Sequence, residues 1–341
     1  EKFVKTYPTS QYADDALYEL GNTYVNQNQN DKGIATYDKL INGYKSSSYV
    51  AKAILKQGLI YYNSSKEDLA LTKFKKVVAE YPNSPESIEA VSTARLIYVD
   101  KGQVDEYANW VKTLSFIEVS DADLDNDTYE SAEKQYLQNN SKQAISGFSS
   151  YVSKFPNGLH ALKANFYLAQ LYFADNLEAN SVKHYEFVVS KPRNEFTEQA
   201  LARLCQVHLK AKNYDSAIPV LKRLESEAEF PQNTTYAQSN LMKSYYEKQD
   251  FTNAVVYADK VLKNDKIDDR IKSDAQIIVA RSAIKTNDEA KAKEAYAKLQ
   301  KIAKGELAAE ALYYDAYFKN KEGKFEPSNV VVQKIAKDYS G

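Results

Sequence analysis

The residues with the most chemical promise form the run Asp121-Ala122-Asp123-Leu124-Asp125-Asn126-Asp127, which sets carboxylates at alternate positions. Alternating oxygen ligands open the calcium loop of an EF-hand, where carboxylates wrap a hard cation. The run then departs from that loop. Asn126 stands where the tight turn needs glycine, and Ala132 where a bidentate glutamate must close the shell. A local account is simpler: carboxylates ahead of a helix accept hydrogen bonds from its free amides and suit the positive end of its dipole. The run is therefore expected to be a loop that leads into a helix and caps it, with no metal assigned.

Other reactive side chains are scattered. His160, His184 and His208 fall at different positions of the repeat described below, and His208 is expected to pack in the core. Cys205 is the single cysteine, so it forms no intramolecular disulfide and is expected to be a buried packing residue. No H-E-x-x-H, C-x-x-C, G-x-S-x-G or P-loop pattern occurs, so no catalytic residue and no cofactor is assigned. Asn63, Asn126, Asn139 and Asn233 begin Asn-x-Ser/Thr sequences, which read as polar turns.

The elements that would position such groups follow from a period. Tyr7-Pro8, Tyr81-Pro82, Phe155-Pro156 and Phe230-Pro231 place prolines 74, 74 and 75 residues apart, twice a repeat of about 37. At one helical position stand Tyr37, Phe74, Val111, Phe148, Tyr185, Leu221, Ala258 and Tyr296. Three residues on come Leu40, Val77, Leu114, Tyr151, Val188, Leu224, Val261 and Leu299; four residues before come Gly33, Ala70, Tyr107, Ala144, Ser181, Ala217, Ala254 and Ala292. Residues at i, i+4 and i+7 make one apolar stripe of a helix. An earlier helix of each unit carries a small residue (Gly21, Gly58, Ala132, Ala169, Cys205), with tyrosine three places after that position (Tyr24, Tyr61, Tyr98, Tyr172, Tyr245). Polar links such as Asn26–Asp31, Asn63–Asp68 and Asp100–Asp105 read as turns between the two helices, and each aromatic–proline pair as the stop of the second helix.

The pattern resembles the tetratricopeptide repeat, whose unit is about 34 residues. That resemblance implies an all-α chain, an α-solenoid wound as a right-handed superhelix of about nine helix-turn-helix repeats. They are expected over 10–46, 47–83, 84–120, 121–157, 158–194, 195–233, 234–268, 269–305 and 306–341, after a partial repeat over 1–9. The opening Phe3-Val4-Lys5-Thr6-Tyr7-Pro8-Thr9-Ser10, followed by Ala16-Leu17-Tyr18-Glu19-Leu20-Gly21, is similar to the repeats of the YbgF/CpoB and BamD envelope proteins. Phe74 to Ser84 and Phe148 to Gly158 repeat the theme, and the whole resembles long envelope repeat proteins of the Bacteroidota type. What this resemblance implies is a place in the periplasm or on the periplasmic face of the outer membrane. The chain opens at Glu1 in mid-repeat, which predicts a fragment of a longer protein.

In the tetratricopeptide family the first helices line a concave binding face. Its positions carry over to Tyr18, Asn22, Leu55, Leu59, Tyr62, Asn63, Tyr129, Tyr136, Phe166, Phe173, Tyr236, Lys243, Tyr246, Ile277 and Arg281. Aromatics interleaved with amides and cations suit an extended peptide or a partner helix; the other account is that several pack on the next repeat. The two-carboxylate clamp of the chaperone-binding members is missing, since Tyr18, Leu55, Ser92, Tyr129 and Phe166 hold its basic position.

Composition narrows the partners. Net charge is -1, from 45 basic and 46 acidic residues, so no basic excess exists to hold a phosphate backbone. No apolar run is long enough to span a membrane. Tyrosine is abundant, 28 residues against 13 phenylalanines, more than the columns consume, and exposed tyrosine favours a binding surface. The expected function is a non-enzymatic protein-binding scaffold of the Gram-negative envelope, its partners components of an envelope or outer-membrane assembly. A peptidoglycan- or carbohydrate-associated protein and a cytoplasmic adaptor are the alternatives.

Overall fold

The computed structural model describes residues 1–339; the last two residues of the ninth expected repeat lie outside the described residues. Among the described residues all regular structure is helical, in 19 helices. The chain divides into two compact units, residues 1–171 and 172–341.

Unit 1 opens with α1 (Lys2–Thr6) and continues as the pairs α2 (Ala13–Asn26) with α3 (Asn30–Gly43), α4 (Tyr49–Asn63) with α5 (Glu67–Glu80), α6 (Pro85–Asp100) with α7 (Val104–Val111), and α8 (Asp121–Leu137) with α9 (Ser141–Lys154). The division falls within α10 (Ala161–Ala174). Unit 2 contains α11 (Glu178–Ser190), then α12 (Thr197–Lys210) with α13 (Tyr214–Glu227), α14 (Pro231–Glu247) with α15 (Phe251–Leu262), α16 (Asp269–Lys285) with α17 (Glu289–Leu299), and α18 (Glu306–Lys321) with α19 (Phe325–Asp338). Within each unit, consecutive helices pack as antiparallel hairpins and each hairpin stacks on the next, the arrangement of an α-solenoid.

The columns are the core. Tyr37, Phe74, Val111, Phe148, Tyr185, Leu221, Ala258 and Tyr296 are all buried. Burying a large apolar side chain is worth about 1.5–3 kcal/mol, so one column of this kind supplies much of each hairpin's stability. Tyrosine serves there because its hydroxyl finds an acceptor: Tyr37 donates to Asn22 Oδ1 (2.7 Å), Tyr151 to Asp125 Oδ1 (2.5 Å) and Tyr296 to Glu310 Oε1 (2.8 Å). In the first helices Gly21, Gly58, Ala132, Ala169 and Cys205 are buried. Burial pushes the Cys205 thiol up to about 12, which leaves it an inert packing group.

Each hairpin turn contains one residue with positive φ, and these also keep the period: Asn28, Ser65, Gly102, Asn139, Asn176, Lys212, Gln249, Asn287 and Gly323. Beside these turns, salt bridges join the end of one first helix to the first turn of the preceding hairpin's second helix. Lys101 meets Asp68 (2.7 Å), Lys210 meets Glu178 (2.7 Å), and the pairs Lys248–Asp215 and Lys321–Glu289 repeat the link. Each exposed pair adds little alone, but the acid also faces the positive end of its helix.

Three expectations are corrected. Asp121–Asp127 is the start of α8 rather than a loop: Ser120 and Asp123 form a capping box, Asp125 is buried against Tyr151, and Asp127 is buried against Arg95. Leu114 still packs on the core of unit 1 but stands outside the helix, because α7 ends at Val111. There the Thr113 hydroxyl and amide both bond Trp110 O (2.6 and 3.0 Å), closing the helix early. Phe230-Pro231 opens a helix instead of closing one: α13 ends at Glu227, and Pro231 takes the first position of α14, where its missing N–H costs nothing. At the other pairs, Tyr7, Tyr81 and Phe155 do cap the helix before proline.

Candidate protein-binding groove

A cleft of about 780 Å³ opens in unit 2 between the first helices α14 and α16. Pro231 starts α14, and the same face of that helix brings Thr235, Tyr236, Ser239, Asn240 and Lys243 to the cleft. Asp268 accepts the Ile271 amide at 2.8 Å and so fixes the start of α16, which contributes Arg270, Ile271 and Asp274 to the opposite wall. Lys243 Nζ crosses to Asp274 at 2.6 Å, and Asn264 Nδ2 reaches Thr235 Oγ1 at 3.2 Å. Burial pushes the Tyr236 hydroxyl up to about 12, so it stays a neutral donor. The Ser239 hydroxyl is buried with no hydrogen-bond partner.

A second furrow of about 490 Å³ lies between α12 and α14. Its centre is Glu198. Burial works against the charged form, but Asn233 Nδ2 (2.7 Å) and the Glu229 and Phe230 amides (3.0 and 3.2 Å) donate to the carboxylate, Arg193 lies near, and the carboxyl is held below its ordinary range. These donors tie the start of α14 to α12. Phe230 stands at the rim, 61% exposed. Together the two furrows present neutral donors and acceptors, paired charges and one exposed ring along consecutive first helices. A peptide backbone, which both donates and accepts at every residue, suits such a lining.

Of the residues chosen from sequence, Tyr236 and Lys243 lie in the main cleft. Leu55, Tyr129, Phe166 and Ile277 are buried, so the core uses them and they present little side chain to a partner. Several others serve the stack. Tyr18 stacks on Tyr49 (5.0 Å between centroids) and Tyr136 on Tyr167 (4.8 Å). Arg203 lies over Phe173 (4.4 Å), and Arg281 pairs with Glu310 (2.9 Å), each a contact with the next first helix. Asn22 accepts the Tyr37 hydroxyl, Leu59 and Tyr62 are half-buried on the core of unit 1, and Tyr246 packs edge-on against Phe251 (5.7 Å). Asn63 is exposed at the end of α4. Sequence reasoning missed Glu198, Asn233, Ser239 and Asp274. A search for opposite charges about 31 residues apart would have found the Lys243–Asp274 link.

Helical hairpins stacked in one frame define the class, a solenoid of paired helices. The kind of repeat follows from comparison: a tetratricopeptide repeat model matches residues 15–47 and 52–84, and a tetratricopeptide repeat-like domain model matches residues 117–238, so the chain carries tetratricopeptide repeats there. No curated protein sequence matches it. Solved structures similar to it include a tetratricopeptide repeat protein from Parabacteroides merdae (11% identity, 87% of this chain and 96% of that one, TM-score 0.29). The TPR domain of P58(IPK) (14%, 97% and 91%, TM-score 0.29) and pilF of Pseudomonas aeruginosa (13%, 67% and 97%, TM-score 0.30) are others. No described helix is long and apolar enough to cross a membrane.

Proposed function

We propose that this chain is a non-catalytic scaffold that binds a protein partner through an extended segment laid along α14, between α12 on one side and α16 on the other. Tetratricopeptide repeats are generally protein-binding scaffolds, and the observation that carries the reading is the α14–α16 cleft of about 780 Å³ with its unpartnered Ser239 hydroxyl. The envelope reading rests on the resemblance of the Tyr7-Pro8 and Tyr81-Pro82 segments to the YbgF/CpoB and BamD repeats, and makes the partner part of an envelope or outer-membrane assembly. The test is a photo-crosslinker at Gln232 or Arg270 in cells of the source organism, with one at Lys39 on the second helix α3 as control. One discrete partner crosslinked from the cleft, and lost in Tyr236→Ala, supports the reading. The same products from both faces would refute it, and protease accessibility in intact and outer-membrane-permeabilised cells decides the compartment.

A further inference from the structure

Unit 1 contains an opening built differently from the groove above. In the neighbouring hairpin, Tyr98 of α6 and Trp110 of α7 form an aromatic pair (6.3 Å), with Lys75 placed over both rings. One repeat later the same positions hold Gln135 of α8 and Gly147 of α9. Gly147 lets α9 approach α8 closely, since a Cβ there would stand 2.8 Å from Ala132 Cβ, and a cleft of about 400 Å³ opens beside this contact, within the size range of small-ligand sites.

Beside Val104 and Ala132, its walls carry the hydroxyls and amides of Ser131, Ser146, Ser150 and Gln143, together with Thr128, whose hydroxyl donates to Leu124 O, and Gln135, whose carbonyl accepts from Asn140. Ser131 is only 7% exposed, and its hydroxyl is among those that line the cleft. That hydroxyl faces the Gly102 turn across the cleft, where a Cβ on Gly102 would stand 3.8 Å from it. The cations at the rim are both spoken for, Lys101 by Asp68 (2.7 Å) and Lys154 by Asp105 (2.6 Å). An ion entering the cleft would find no free counter-charge, and an aromatic ligand would find no ring to stack on. Hydroxyls and amides, which donate and accept at once, match a ligand whose own hydroxyls do the same.

We propose that this cleft is a binding site for a neutral polyhydroxy compound of about one hexose unit, distinct from the peptide groove and independent of it. Isothermal titration of the whole chain with glucose, N-acetylglucosamine and glycerol tests it, with sodium phosphate and sodium acetate as ionic probes. A hexose should bind saturably at millimolar concentration. Ser131→Ala should weaken it about tenfold by removing one hydrogen bond. Ser150→Trp, which fills the mouth, should abolish it while circular dichroism and the melting temperature stay unchanged. Gln143 is exposed, so Gln143→Ala serves as a second variant free of folding risk, and it too should weaken binding. Absence of saturable hexose binding overturns the proposal. So does displacement of hexose by phosphate or acetate, or hexose binding that is equal in the wild-type, Ser150→Trp and Gln143→Ala proteins.

Discussion

Phe74 occupies the space that a side chain on Gly58 would need: a Cβ there would stand 2.5 Å from Phe74 Cε1. Gly58→Ala is therefore expected to destabilise unit 1 by about 1–3 kcal/mol, although alanine is the better helix former. Gly43, at the end of α3, has nothing within 4 Å of such a Cβ, so Gly43→Ala should gain roughly 0.5–1 kcal/mol. Urea titrations of the two variants separate these outcomes. Shifts of the same sign would mean that the glycine is not there for packing.

The turn residues with positive φ predict a second contrast. Lys212 (φ 54°) and Gln249 (φ 60°) hold a conformation that glycine adopts freely. Replacing either by glycine should raise stability by roughly 0.5–1 kcal/mol, whereas Gln249→Val should lower it by at least as much. Thermal melts would show this, and a stabilising valine would be incompatible with the turn geometry.

Arg95 sits where α2, α4, α8, α10 and α12 place a small residue, and its guanidinium binds the buried Asp127 through Nε at 2.8 Å. Arg95→Met leaves that carboxylate buried without its partner and should cost about 2–4 kcal/mol. The double variant Arg95→Met/Asp127→Leu should recover most of the loss. A double-mutant cycle with no coupling would show that the pair contributes nothing beyond its parts.

His184 gives unit 2 a pH dependence. Burial, aided by Lys183, lowers its pKa from 6.5 to about 4. The unfolded chain takes up this proton first, so stability is full above about pH 6.5 and falls as pH drops toward 4, by about 3 kcal/mol. His184→Gln should flatten that part of the profile in equilibrium unfolding at stepped pH. An unchanged slope would assign it to carboxylates.

The columns were legible because they repeat: Tyr37, Phe74 and Phe148 need only a helical period to be placed in a core. The early end of α7 was not, because Leu114 keeps the frame and only the bonds from Thr113 to Trp110 O break it. Phe230-Pro231 was misread for a related reason. Proline marks a helix boundary, but the dipeptide does not say on which side the helix lies. At the candidate site, Leu55, Tyr129, Phe166 and Ile277 show the limit of carrying positions across repeats: wherever the neighbouring helix approaches closely, a binding position becomes a core position. Tyr236 and Lys243 line the α14–α16 cleft, whereas Ser239 looks in sequence like any other polar residue of a helix.

Trp110 is the only tryptophan among 28 tyrosines, and it lies in α7 with its ring against Tyr98 and under Lys75. The protein thus carries a built-in optical label on unit 1 alone. Emission excited at the red edge of tryptophan absorption follows the melting of that hairpin's surroundings, while far-ultraviolet dichroism averages over every helix. In a solenoid, where distant hairpins share no contacts, the two signals are free to part. The gap between their midpoints then measures how far cooperativity travels along the stack.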